Sequence, residues 1–247
     1  MNSSFSATPR QARQVIDEMR REPKQLHEPL LIVGGFLDMN LSPPDLADFF
    51  SRISSSSKII TVSLGMCTSF EECRRTIIAA ADQACPSADP VWTSQVDVVG
   101  VSLGGLASRY AAAPSRDIND RRRLKIARLF TISSPHAGAT LARHVGFTEF
   151  HRDMQPGSEF LKMLAREDGR AGYTLIPYKH LHDEVVGEQF AAPLGVSPWW
   201  LDDVFEPSPH LAAVLDERIR ADIALRLRDE TPLTTSPPEP LPQDTSQ

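Results

Sequence analysis

The chain has 247 residues, 41% apolar and 23% charged, with no internal repeat, a size and balance that fit one domain with a full hydrophobic core. Its formal net charge of −6 argues against a general affinity for nucleic acid or anionic membranes. No run of about 18 consecutive apolar residues occurs, so no stable membrane insertion is expected, and Met1 to Arg21 lack a signal-type apolar stretch, which makes a cytoplasmic location the expectation.

In chain order, Thr8 and Pro9 make a helix start, and Ala12, Val15, Ile16 and Met19 recur on one face. Residues 1–28 therefore read as an N-terminal helical extension packed ahead of the main domain. From Pro29 the pattern changes to short apolar runs at Leu30 to Val33, Ile59 to Ser63, Val96 to Val101, Ile126 to Ile132 and Tyr173 to Pro177. Helical stretches separate them at Ser42 to Ile53, Ser69 to Cys85 and Leu103 to Ala113, with a last helix from about Pro209 to Arg228. Apolar runs alternating with helices imply parallel strands buried on both faces, so residues 29–229 read as a doubly wound α/β domain with few strands. The basic cluster Arg121, Arg122, Arg123 and Lys125 reads as a solvated loop. Residues 230–247 read as a disordered tail, because Thr231 to Gln247 carry five prolines among polar residues and no aromatic residue.

The segment Val96-Asp97-Val98-Val99-Gly100-Val101-Ser102-Leu103-Gly104-Gly105 runs a buried strand into Gly-x-Ser-x-Gly and then into a helix. At such a sharp turn the serine is held in a strained conformation, and side chains at Gly100 and Gly104 would collide with neighbouring backbone. Ser102 is thereby lifted clear of the sheet at a helix N-terminus, whose free N–H groups favour a developing oxyanion. These features make Ser102 the candidate nucleophile.

With this elbow in place, the chain resembles the bacterial lipase and esterase branch of the α/β-hydrolase superfamily over about residues 29 to 228. Four further segments carry the resemblance: Leu30-Leu31-Ile32-Val33-Gly34-Gly35-Phe36-Leu37, Leu129-Phe130-Thr131-Ile132-Ser133-Ser134-Pro135-His136-Ala137-Gly138, Asp153-Met154-Gln155-Pro156-Gly157-Ser158, and His182-Asp183-Glu184-Val185-Val186. The first is similar to the strand and His-Gly turn that supply an oxyanion donor, although Gly34-Gly35 replaces that His-Gly. The resemblance implies backbone N–H donors at Phe36 and Leu103, a structural His136, and a triacylglycerol lipase-like activity.

A serine hydroxyl needs an imidazole to take its proton. Of seven histidines, His210 has the right setting, since Glu206-Pro207-Ser208-Pro209-His210 is a loop leading into the last helix. Asp183 follows a strand-like run, 81 residues beyond Ser102 and 27 before His210, and is the first choice for the orienting acid; Glu184, Asp202 and Asp203 are the alternatives. Nucleophile, acid and base then occur in the chain order of the α/β-hydrolases. Cys67, Cys73 and Cys85 lack metal-type spacing and the histidines are scattered, so they read as thiols, and neither metal nor cofactor is expected.

The stretches Ala139 to Gly172 and Gln189 to Phe205 are expected near the triad. Phe190, Leu194, Trp199, Trp200, Leu201 and Phe205 in the second would wall an acyl pocket, which favours a lipid-like or other apolar ester as the small-molecule partner. Acyl transfer or amide hydrolysis on the same triad, and a non-catalytic hydrolase-like binding protein, are the competing readings.

Overall fold

The computed structural model describes residues 5, 7–35, 42–139, 149–168, 170, 172–187, 189–201 and 209–234. Six strands form one parallel sheet in the order β2-β1-β3-β4-β5-β6: β1 (Leu30–Val33), β2 (Ile59–Val62), β3 (Val96–Val101), β4 (Ile126–Ile132), β5 (Thr174–His180) and β6 (Trp199–Leu201). Helices α1 (Pro9–Arg21), α2 (Ser42–Ile53), α3 (Phe70–Ala84), α4 (Leu103–Ala112), α5 (Glu149–Asp153), α6 (Glu159–Asp168), α7 (Pro209–Leu215) and α8 (Glu217–Leu227) accompany it. The doubly wound parallel sheet expected from the apolar runs is thus observed.

Strand residues alternate between two cores. Leu30 and Ile32 of β1, Val99 and Val101 of β3, and Phe130 and Ile132 of β4 face a layer made by α1, α2, α7 and α8. Leu31, Val33, Val96, Val98 and Leu129 face the opposite layer, built from α3, α4, α5 and α6. Such two-sided burial is what continuous apolar strands require. It also places α2 and α3 on opposite faces, so the strand order reverses between β1 and β3, the point at whose carboxyl ends open α/β sheets bind their ligands.

The N-terminal segment is no separate extension. Thr8 caps α1 by accepting from the Gln11 amide at 3.3 Å, while the Gln11 side chain accepts from the Thr8 amide at 2.8 Å. Ala12, Ile16 and Met19 then enter the same core as α2 and α8, and the Phe5 ring meets those of Tyr178 and Trp199 at 6.4 and 6.3 Å.

Four other expectations need correction. The sheet has a sixth strand, β6, where a pocket-lining loop was expected. The helix expected over 209–228 divides at Asp216, whose extended backbone (φ −64°, ψ 119°) and side chain cap α8 by accepting from the Arg218 amide at 2.9 Å. The basic run is not merely solvated: Arg122 donates to Asp82 at 2.9 and 2.5 Å, and the Arg123 guanidinium stacks 5.0 Å above the Trp92 ring. Finally, the boundary at 229/230 falls too early, because residues 230–234 are packed. Leu233 covers core side chains, and Thr234 is 4% exposed.

Thr234 matters because Asp222 is fully buried. The Asp222 carboxylate accepts from Tyr178 Oη at 2.7 Å, Arg226 Nε at 2.8 Å, and the Thr234 amide and hydroxyl at 3.0 and 3.1 Å. Thr234→Val keeps the amide bond and shape but removes the hydroxyl, leaving a buried carboxylate short of a donor at a cost of about 1–3 kcal/mol. Thermal denaturation should show Tm lowered by about 2–4 °C per kcal/mol. An unchanged Tm would show that the 230–234 segment adds nothing to the fold.

Candidate active site

Ser102 sits between β3 and α4 with φ 52° and ψ −124°, a conformation costly for a residue with a side chain. Packing imposes it. A Cβ on Gly100 would lie 2.5 Å from Gly105 Cα, one on Gly104 would overlap the Val33 and Gly34 carbonyls, and one on Gly105 would overlap Ser134 and Thr131. The turn is pinned from the other side by the Ser102 amide, which donates to the Ile132 carbonyl at 2.8 Å.

Asp183 and His210 approach Ser102 at the same edge of the sheet. His210 opens α7, and its Nε2 lies 3.1 Å from Ser102 Oγ. Its Nδ1 lies 2.8 Å from Asp183 Oδ2, in the turn after β5. An ionised carboxylate only accepts, so Nδ1 carries the proton and Nε2 is left to accept from the Ser102 hydroxyl. Asp183 is 1% exposed, and its other oxygen accepts from the Val185 and Val186 amides at 3.1 and 3.2 Å. Burial alone would raise the Asp183 carboxyl, but the hydrogen bonds from His210 and the Val186 amide outweigh it and hold it below the usual carboxylate range. Glu184 is exposed, and Asp202 and Asp203 lie outside the described residues.

Positive φ values at three non-glycine residues converge here: Ser102, Ser133 (49°) at the end of β4 and His182 (61°) beside Asp183. His136, four residues past β4, is buried, with Nε2 at 2.9 Å from Thr131 Oγ1 and Nδ1 at 3.1 Å from the Arg109 guanidinium. Burial and the Arg109 charge depress its pKa well below that of free histidine, so it stays neutral and packs the base of the site.

Leu103 opens α4, so its N–H is one of those a helix leaves outside its own ladder. Phe36 lies outside the described residues. The preceding Gly35 does reach the serine: a Cβ there would lie 3.0 Å from Ser102 Cβ and 3.5 Å from Oγ. That proximity gives Gly35, the glycine the two motifs share, a physical reason.

One supporting cluster escaped the sequence reading. His180 at the end of β5 and Arg218 at the start of α8 both approach the Asp216 carboxylate, at 3.2 and 2.7 Å. Burial opposes ionisation of Asp216, but the adjacent His180 ring and the hydrogen bonds from Arg218 keep its carboxyl far below the usual range. The strand that leads to Asp183 is thereby tied to the end of the helix that begins at His210. The motif Asp216-Glu217-Arg218 is a recognisable N-cap and could have signalled the break.

The expected pocket wall is not assembled as foreseen. Trp199 and Leu201 belong to β6 and pack into the core beside α1 and α8, Leu194 is 89% exposed, and Phe205 lies outside the described residues. Among the described residues, no group of three His, Cys, Asp or Glu side chains could hold a metal ion, and no helix is long and apolar enough to cross a membrane.

No family model and no curated protein sequence matches the chain. Solved structures do. The mature lipase BlEst2 of Bacillus licheniformis superposes with a TM-score of 0.54 at 15% identity, covering 86% of this chain and 94% of that one. An esterase domain from Rhodothermus marinus gives 0.50 at 17% identity over 82% and 84%. The metagenomic carboxyl esterase MGS0156 gives 0.50 at 14% identity over 83% and 76%. At these identities the likeness is one of architecture: the chain has the α/β-hydrolase fold.

Proposed function

We propose that the protein is a serine hydrolase that cleaves carboxylic esters with apolar acyl groups. The observation that carries this reading is the continuous chain Ser102–His210–Asp183, at 3.1 and 2.8 Å, on a strained strand-to-helix turn. The structural neighbours, a lipase and two esterases, agree with it.

In this reading Ser102 Oγ attacks the ester carbonyl carbon as His210 Nε2 takes its proton. The carbonyl oxygen becomes an oxyanion held by the Leu103 N–H and, as the sequence suggests, by that of Phe36; one such donor is worth about 10²–10³ in turnover. Asp183 remains ionised, keeps the imidazole in the required tautomer and stabilises the imidazolium. The tetrahedral adduct collapses, the carbon–oxygen bond to the alcohol breaks, and His210 returns the proton to the departing oxygen. Water then attacks the acyl-serine with His210 again as base, releasing the carboxylic acid and restoring the Ser102 hydroxyl. His136 is an unsuitable proton carrier, since a base held neutral far below physiological pH accepts protons poorly.

Ser102→Ala should lower turnover of a p-nitrophenyl ester by about a million-fold, because triad members act as a unit. Retained hydrolysis in the folded variant would refute the assignment. His210→Ala should be nearly as damaging. A larger loss from His136→Ala than from His210→Ala would transfer the role of base.

Asp183→Asn tests the acid. The amide can leave the ring in the wrong tautomer and cannot stabilise its charge, so kcat should fall by about 10⁴. Steady-state kinetics showing a loss below tenfold would remove Asp183 from the triad.

A further inference from the structure

Away from the elbow, at the amino ends of the strands, lies a cavity of about 350 Å³, a volume in the ordinary range for small-ligand sites. It is lined by the end of α4 with Ala113 and Pro114, by Leu164 of α6, and by Trp92 and Tyr173, which precede β3 and β5. The end of α4 is ten helical residues from Ser102, or about 15 Å at a helix's rise, so this cavity is separate from the triad.

Its charges do not balance. Among the described residues Arg109, Arg123 and Arg170 line it against one carboxylate, Glu167, in a chain whose formal net charge is −6. Glu167 is divided between two guanidinium groups and close to neither. Its oxygens lie 4.0 Å from Arg123 Nη2 and 3.5 Å from Arg170 Nη1, where a charge-assisted bond measures about 2.7–2.9 Å. Arg109 is buried and turned to His136, with Nη1 3.1 Å from Nδ1. The Arg123 Nε–H is also buried, and among the described residues it meets no acceptor. Stacking over Trp92 orients the Arg123 plane without supplying one. Burial, with the charge of Arg74 added, pushes the Arg123 pKa down despite Glu167, which marks a cation short of counter-charge.

We propose that this cavity binds a small organic anion, a carboxylate or phosphate monoester whose oxygens face Arg123 and Arg170 and whose apolar body lies against Pro114, Leu164 and Tyr173. The planar fork of an arginine matches two oxygens of such a head, and the Arg123 Nε–H is the donor that a bidentate contact would satisfy. The aliphatic and aromatic lining favours a head carried on a ring over a bare ion, because the ring removes apolar surface from water. Glu167 then acts as an internal competitor for the same two guanidinium groups. The proposal does not depend on the reaction at Ser102.

The test is isothermal titration calorimetry of the full chain with benzoate, phenyl phosphate and uncharged benzyl alcohol. Both anions should bind one to one with a Kd in the millimolar range or tighter, and benzyl alcohol at least tenfold more weakly. Arg123→Gln should weaken both anions at least tenfold, the equivalent of one hydrogen bond to a charged group. Arg170→Gln, on a side chain that is 79% exposed, should weaken them at least threefold while leaving the thermal melt unchanged. Glu167→Gln removes the competitor and should tighten both at least threefold, a gain that lost packing does not produce. Should Arg123→Gln fail to fold, the opposite responses of Arg170→Gln and Glu167→Gln decide the matter. Either anion binding with these responses supports the inference, and the tighter of the two identifies the head. Absence of binding, benzyl alcohol as tight as benzoate, or anion affinities unmoved by the substitutions would overturn it.

Discussion

The close approach of backbone to backbone at the β3–α4 turn is the constraint on which the site depends. Gly100 touches Gly105, Gly104 touches the carbonyls that end β1, and Gly105 touches Ser134 after β4, with no room for a Cβ at any of the three. Three adjacent strands thus converge on one turn, and the chain between them has little choice but to hold Ser102 at positive φ. The strain is sustained by two large cores, one on each face of the sheet, that fix β1, β3 and β4. In the proposed reaction, a nucleophile positioned by packed backbone needs no reorganisation at the moment of attack.

Asp183 and His210 reach Ser102 from the other half of the sheet by less rigid means. Asp183 lies in a turn and is fixed by two amides and the imidazole, whereas His210 depends on where α7 begins. Asp216 compensates at the far end of that short helix, where it breaks the helical path, caps α8 and draws in His180 and Arg218. A charged cluster so placed orients two elements relative to each other, and its geometry explains why one continuous helix over 209–228 would not serve.

The parts legible in the sequence are those where one residue type has one physical reason. Glycine at 100 and 104 is demanded by contact, the apolar runs of β1, β3 and β4 by burial on both faces, and Thr8-Pro9 by the open end of a helix. Asp183 and His210 could be singled out because their positions between recognisable strands and helices follow a known chain order, and the structure does bring both to Ser102. What escaped depends on partners distant in sequence. Trp199-Trp200-Leu201 is too short to announce a strand, and its pairing with Tyr178 to His180 exists only once β5 is in place. Residues 230–234 look like the start of a polar tail, yet Thr234 finds a buried carboxylate that no local pattern reveals.

The central claim is that Ser102 becomes covalently acylated with His210 and Asp183 behind it. The most direct measurement is peptide mapping by mass spectrometry after acid quenching of the protein during turnover of p-nitrophenyl butyrate. The account predicts a butyryl group on the peptide containing Ser102, absent from Ser102→Ala and strongly reduced in His210→Ala. A butyryl group on any other residue, or steady ester turnover with no acylated serine and undiminished activity in Ser102→Ala, would contradict it.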